Sequence, residues 1–137
     1  MRPYVVDSSA FIQAARDWYP RDVFPTLWEK LKSYGAYGLV LSIDAVKDEL
    51  LQRNDDLADW AKNEFCGWRP AKNDQQTMKQ YQKVAKYVEG LTGKSRAEKD
   101  RFMSGADGWL VAWAVVNYAT VVAHETSTGT ASKKIKI

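Results

Sequence analysis

The sequence holds a single cysteine and a single histidine among its 137 residues, and these two scarcities exclude whole classes of chemistry. Cys66 has no partner for an internal disulfide, which fits a reducing compartment. Alone, it reads as a small helix-packing residue rather than a nucleophile. His124 cannot supply the His/Cys spacing of a zinc site, and a lone histidine at that place reads as a strand-end or core side chain before a base or a ligand. Long apolar runs are missing too. No stretch of ~18 apolar residues occurs, and the start of the chain lacks the basic and then apolar order of a signal peptide. The expectation is a soluble, cytoplasmic protein with no membrane contact. Charge of one sign is also scarce: 20 basic against 17 acidic residues leave a net charge of +3, compatible with nucleic acid without requiring it. Most cations alternate with acids, as from Arg96 to Arg101, and read as solvated helix faces. The run Lys133, Lys134 and Lys136 is the one that no acid offsets.

What is present describes one globular domain over residues 1–137, with 45% hydrophobic and 27% charged residues. Tyr4-Val5-Val6 reads as a short buried strand, and residues 39–42 form an apolar run too short for a helix. Residues 120–124 complete an expected set of three strands. Between them the apolar spacing is helical: after Asp7 as far as Pro20, from about Asp22 to Gly35 with Pro25 in the first turn, and again from Ile43. Further helices are expected over 57–65, 78–91, 95–103 and 106–116, with residues 69–73 as a connector. Trp28, Trp60, Trp109 and Trp113 fall at helical spacings and read as packing residues before base-stacking ones. Strands alternating with helices predict an α/β fold, a three-layer α/β/α sandwich around a small parallel sheet.

In such a sheet the carboxyl ends of the strands share one edge, where ligands collect. Asp7 ends the first strand and Glu125 follows the last. Asp107 opens the apolar helix that returns to that last strand, so its N-terminus belongs at the same edge. Glu49 sits in the helix after the second strand and could lean over it. Four carboxylates at one edge repel one another unless a cation compensates, and a hard divalent ion, Mg²⁺ or Mn²⁺, suits oxygen ligands. Other readings stay open: Asp7 and Asp107 as helix caps, Glu49 as part of a solvated helix face, and Glu125 as a loop acid.

The segments Asp7-Ser8-Ser9-Ala10-Phe11-Ile12, Ser42-Ile43 through Glu49-Leu50, Ala106-Asp107-Gly108-Trp109-Leu110-Val111-Ala112 and Val121-Val122-Ala123-His124-Glu125 together resemble the PIN-domain nucleases. The likeness is strongest to a bacterial and archaeal branch related to the VapC-type toxins. The resemblance implies metal-dependent cleavage of RNA, with Asp7, Glu49 and Asp107 as core acids and Glu125 as a fourth. It also implies an antitoxin partner, a homodimer, and a C-terminal strand and helix for which 137 residues leave little length. Lys47, Lys133, Lys134 and Lys136 would hold the phosphate backbone. Three positions depart from the pattern: Ser9 where asparagine is frequent, Gly108 where this branch often has proline, and Ala123 where a hydroxyl is common. The departures at Ser9 and Ala123, together with the short C-terminus, motivate a rival reading, a PIN-like binding or regulatory module without turnover. A receiver or haloacid-dehalogenase-like phosphoryl-transfer protein fits less well, because Ser8 and Ser9 do not supply further acids beside Asp7.

Overall fold

The computed structural model describes residues 2–125 and 135. Strand β1 (Tyr4–Val6) occupies an interior position because its neighbours pair on both sides, β2 (Val40–Ile43) on one and β4 (Thr120–Val122) on the other. Its Val5 and Val6 are buried, as a strand covered by helices on both faces requires. A two-residue strand, β3 (Trp68–Arg69), extends the sheet beyond β2, giving the order β3-β2-β1-β4 with every pairing parallel. Parallel neighbours cannot be joined by tight hairpins, so helices fill each connection.

The first connection carries α1 (Ser8–Gln13), a π-helical segment (Ala14–Trp18) and α2 (Pro25–Tyr37). Pro25 starts α2, where its missing N–H costs nothing, and Gly38 ends it at φ +78°, a left-handed position that a side chain would strain. The second carries α3 (Asp44–Leu51) and α4 (Asp56–Asn63); the third carries α5 (Gln75–Glu89), α6 (Arg96–Ser104) and α7 (Asp107–Asn117). Asp55, Asp74 and Ser95 cap α4, α5 and α6 by accepting the backbone N–H of Ala58, Thr77 and Glu98. The whole is the expected three-layer sandwich. Its core joins an aromatic knot (Phe11, Trp28, Trp60, Phe65, Trp68) to Leu110 and Trp113 of α7. A smaller cluster of Val88, Phe102 and Ile135 lies beside it.

Three expectations are corrected. The sheet has four strands among the described residues, not three: Trp68 and Arg69 pair with Ser42 and Ile43, and two residues are too few to show any periodicity. The last strand stops at Val122, because the N–H of His124 turns to the Ser9 hydroxyl at 3.1 Å. Cys66 is exposed rather than packed in the core; Phe65 takes the core position next to it. Lys133, Lys134 and Lys136 lie outside the described residues.

Candidate functional site

Asp7 follows β1 and is 3% exposed. Its N–H donates to the Val122 carbonyl at 2.8 Å, which fixes the end of β1 against the end of β4. Oδ2 caps α1, accepting the Ser9 N–H at 3.4 Å and the Ser9 hydroxyl at 2.7 Å. The cap reading of Asp7 is therefore true of one oxygen only. Oδ1 is buried and has no hydrogen-bond partner among the described residues, an arrangement that costs free energy unless something electropositive meets it.

Glu49 is delivered by α3 and held from two directions. The Ser8 hydroxyl donates to Oε2 at 2.6 Å, and the Ala106 N–H, just ahead of α7, donates to Oε1 at 2.9 Å. Gly105 leaves room for this, since a Cβ there would stand 3.3 Å from Oε1. Asp107 is the first residue of α7, and the capping position is Ala106, which makes no side-chain cap bond. Asp107 is thus free of the structural duty that sequence alone allowed it.

The electrostatics of Asp107 draw the acids together. Its carboxyl is pushed up to about 6, by burial first and then by the charge of Asp7; Arg101 pulls the other way, and Glu49 and Glu125 push further. All four expected acids are therefore within electrostatic reach of one point. Glu125 reaches it from the half-buried segment past β4. Asp44 provides a contrast. It stands at the end of β2, at the same edge, but its oxygens accept the N–H groups of Ala45, Ala71 and Lys72 and so fix the chain after β3.

Among the described residues, no three His, Cys, Asp or Glu side chains stand as a ready-made metal ligand set. The donor chemistry nonetheless fits a hard cation: an orphaned buried oxygen on Asp7 and an acid raised by three other carboxylates. The Lys47 ammonium lies 5.9 Å from the centre of the Trp68 ring.

Three contributors had no supporting role assigned to them from sequence. Ser8 and Ser9 orient Glu49 and Asp7, and their position directly after Asp7 was the available signal. Arg101, read as a solvated cation, places Nη1 3.6 Å from Asp107 Oδ2 while Nη2 holds Glu98 at 2.6 Å and the Ile135 carbonyl at 2.8 Å. Nothing local in the sequence marks it. Gly108 also acquires a reason: a Cβ there would meet Tyr81 Cε2 at 3.1 Å and Met103 Cε at 3.2 Å. The Tyr81 ring stacks on Trp109 at 3.9 Å between centroids and takes the room that a larger residue would need.

The model of one family matches residues 4–137, and the chain belongs to that family, whose description is Domain of unknown function (DUF4411). No curated protein and no solved structure matches the chain.

Proposed function

We propose that this DUF4411 protein is a Mg²⁺- or Mn²⁺-dependent endoribonuclease, and that its place is that of the toxin in a toxin–antitoxin pair. The observation that carries the reading is the raised carboxyl of Asp107, coupled at once to Asp7, Glu49 and Glu125. Structural acids are normally satisfied by cations or backbone donors; Asp107 meets one cation, Arg101, against three other carboxylates, and a partly buried acid whose pKa is raised in that balance is a functional-site signal. The PIN-like order of these residues in the sequence adds the substrate class. Cytoplasmic location, an antitoxin and a homodimer follow from the same likeness. No helix among the described residues is long and apolar enough to cross a membrane.

Asp7 and Asp107 would hold the ion, with Glu49 and Glu125 completing its surroundings directly or through water. Such an ion supplies Lewis acidity, lowering the pKa of water and offsetting charge on the phosphodiester oxygens. The chain's own residues do the rest. Ser9 fixes one oxygen of Asp7 and leaves the other uncommitted. Ser8 and the Ala106 N–H hold Glu49 in one orientation before substrate arrives, so little reorganisation is needed during the reaction. Arg101 sets a cation beside Asp107, where it tempers the repulsion felt by an incoming phosphate.

Purified protein incubated with unstructured RNA and Mn²⁺ should cleave it, and EDTA should stop the cleavage. Asp7→Ala and Asp107→Ala should each remove the activity with the circular dichroism spectrum unchanged; undiminished cleavage by either variant sinks the assignment. The second reading, a regulatory module without turnover, is favoured by the double anchoring of Glu49, whose two oxygens are both taken by protein donors. Calorimetry showing tight Mn²⁺ uptake, with no cleavage of any RNA pool, would select it.

A further inference from the structure

Trp18 is 51% exposed, although an indole is among the side chains that gain most from burial. It is not on a loose loop. Trp18 closes the π-helical segment, the Tyr19 N–H returns to the Ala14 carbonyl at 2.7 Å, and the Tyr19 carbonyl accepts the indole N–H of the buried Trp28 at 2.7 Å. The backbone that presents Trp18 is thereby tied to the core. Single π-helical turns inside helices often mark functional positions.

What Trp18 touches is the residue next to one of the acids. The His124 ring packs edge-to-face against it, with centroids 5.0 Å apart and planes at 89°. His124 precedes Glu125, and its N–H donates to the same Ser9 hydroxyl that binds Asp7. Tyr19, the next residue, is 44% exposed and packs edge-to-face at 5.5 Å on Phe24, exposed to the same degree. A rigid, half-exposed aromatic surface next to an acid-bearing segment is a poor place for a phosphate and a good place for a base.

We propose that Trp18, braced by His124, is a stacking platform for an unpaired base of single-stranded RNA beside the scissile phosphodiester. The proposal rests on the ribonuclease reading. Stacking is tolerant of sequence because every base has a π-face, so this surface recognises an unpaired strand, and duplex RNA, whose bases are already stacked, is excluded.

The test uses a fluorescein-labelled 12-nucleotide unstructured RNA and the full chain with Mn²⁺. Removing one base-stacking contact should raise KM roughly tenfold in Trp18→Ala, with kcat within about twofold, as expected for binding shared by ground and transition states. Trp18→Phe should recover most of the loss. An abasic nucleotide at each position in turn identifies the stacked base without altering the protein. That abasic RNA should be as poor a substrate for the wild type as intact RNA is for Trp18→Ala, and should cost the variant nothing further. An unchanged KM in Trp18→Ala, or losses that simply add, overturns the platform while leaving the nuclease standing. If the wild type cleaves no RNA, the nuclease reading falls, and anisotropy of the labelled RNA then decides the platform. Weaker binding by Trp18→Ala keeps it; equal or absent binding removes it.

Discussion

At the scale of single residues, Asp107 is the place where the folded chain works against itself. A carboxyl raised from 3.8 to about 6 holds its proton more tightly folded than unfolded. It makes no difference to stability well below its unfolded value of 3.8, where both states are protonated. From pH 3.8 up to about 6 the unfolded chain ionises first, so the cost grows through that range and is fully present above it. At ~1.4 kcal/mol per unit, discounted because the side chain is still reached by water, that cost is about 1–2 kcal/mol. Asp107→Asn should therefore melt at a higher temperature than the wild type at pH 7.5 in EDTA, and the gain should vanish as the pH falls well below 3.8. A gain that persists unchanged in that acid range would mean that ionisation of Asp107 in its buried, acid-rich surroundings is not what costs the folded state stability. Ser9 bears the opposite load. Its hydroxyl serves Asp7 and the His124 N–H together, so Ser9→Ala should cost about 1 kcal/mol in urea unfolding and lower cleavage more than stability, because it frees both Asp7 and the segment that carries Glu125.

At the scale of elements, the sheet depends on a close approach that no pattern announces. Gly67 precedes β3, and a Cβ there would stand 2.6 Å from the Val40 carbonyl oxygen and 2.5 Å from Phe65 Cζ. Gly67→Ala should cost about 1–3 kcal/mol by overpacking. Gly90→Ala, where a Cβ meets only ordinary contacts at 3.6 Å, should stay within about 0.5 kcal/mol; equal losses in the two would discount this crowding as the cause. The same contrast explains what was legible beforehand. Val5, Val6, Leu41, Leu110 and Trp113 are buried as their spacing predicted, because periodicity records which face an element hides. Asp7 and Asp107 could be placed because strand ends and helix starts have known polarity. β3 could not, since pairing of two residues is decided by Gly67 and by Asp44 holding Ala71 and Lys72. Nor could Arg101 be assigned: its i,i+3 partner Glu98 is what a solvated helix face would show, and Asp107 reaches it only through the turn between α6 and α7.

At the scale of the whole molecule, the acids come from distant parts of the chain, Asp7 after β1, Glu49 within α3, Asp107 at the start of α7 and Glu125 after β4. Only the folded state brings them together, so an unfolded chain offers a divalent ion no comparable site. An ion that binds the folded form alone stabilises it by mass action, ~2.7 kcal/mol at a concentration one hundred times its Kd. For a domain of this size that corresponds to a Tm increase of roughly 8–12 °C. MnCl₂ should therefore raise the melting temperature in proportion to the logarithm of its concentration, and EDTA should reverse the rise. Asp7→Asn should abolish most of the shift, since it removes the charge of the acid with the uncommitted oxygen. Arg101→Gln should preserve or enlarge the shift, because the guanidinium competes for Asp107. Lowering the pH through 6 should shrink it, as the ion must then displace a proton from Asp107. A manganese shift of equal size in wild type and Asp7→Asn would place the ion elsewhere on the protein and separate the acid cluster from metal chemistry.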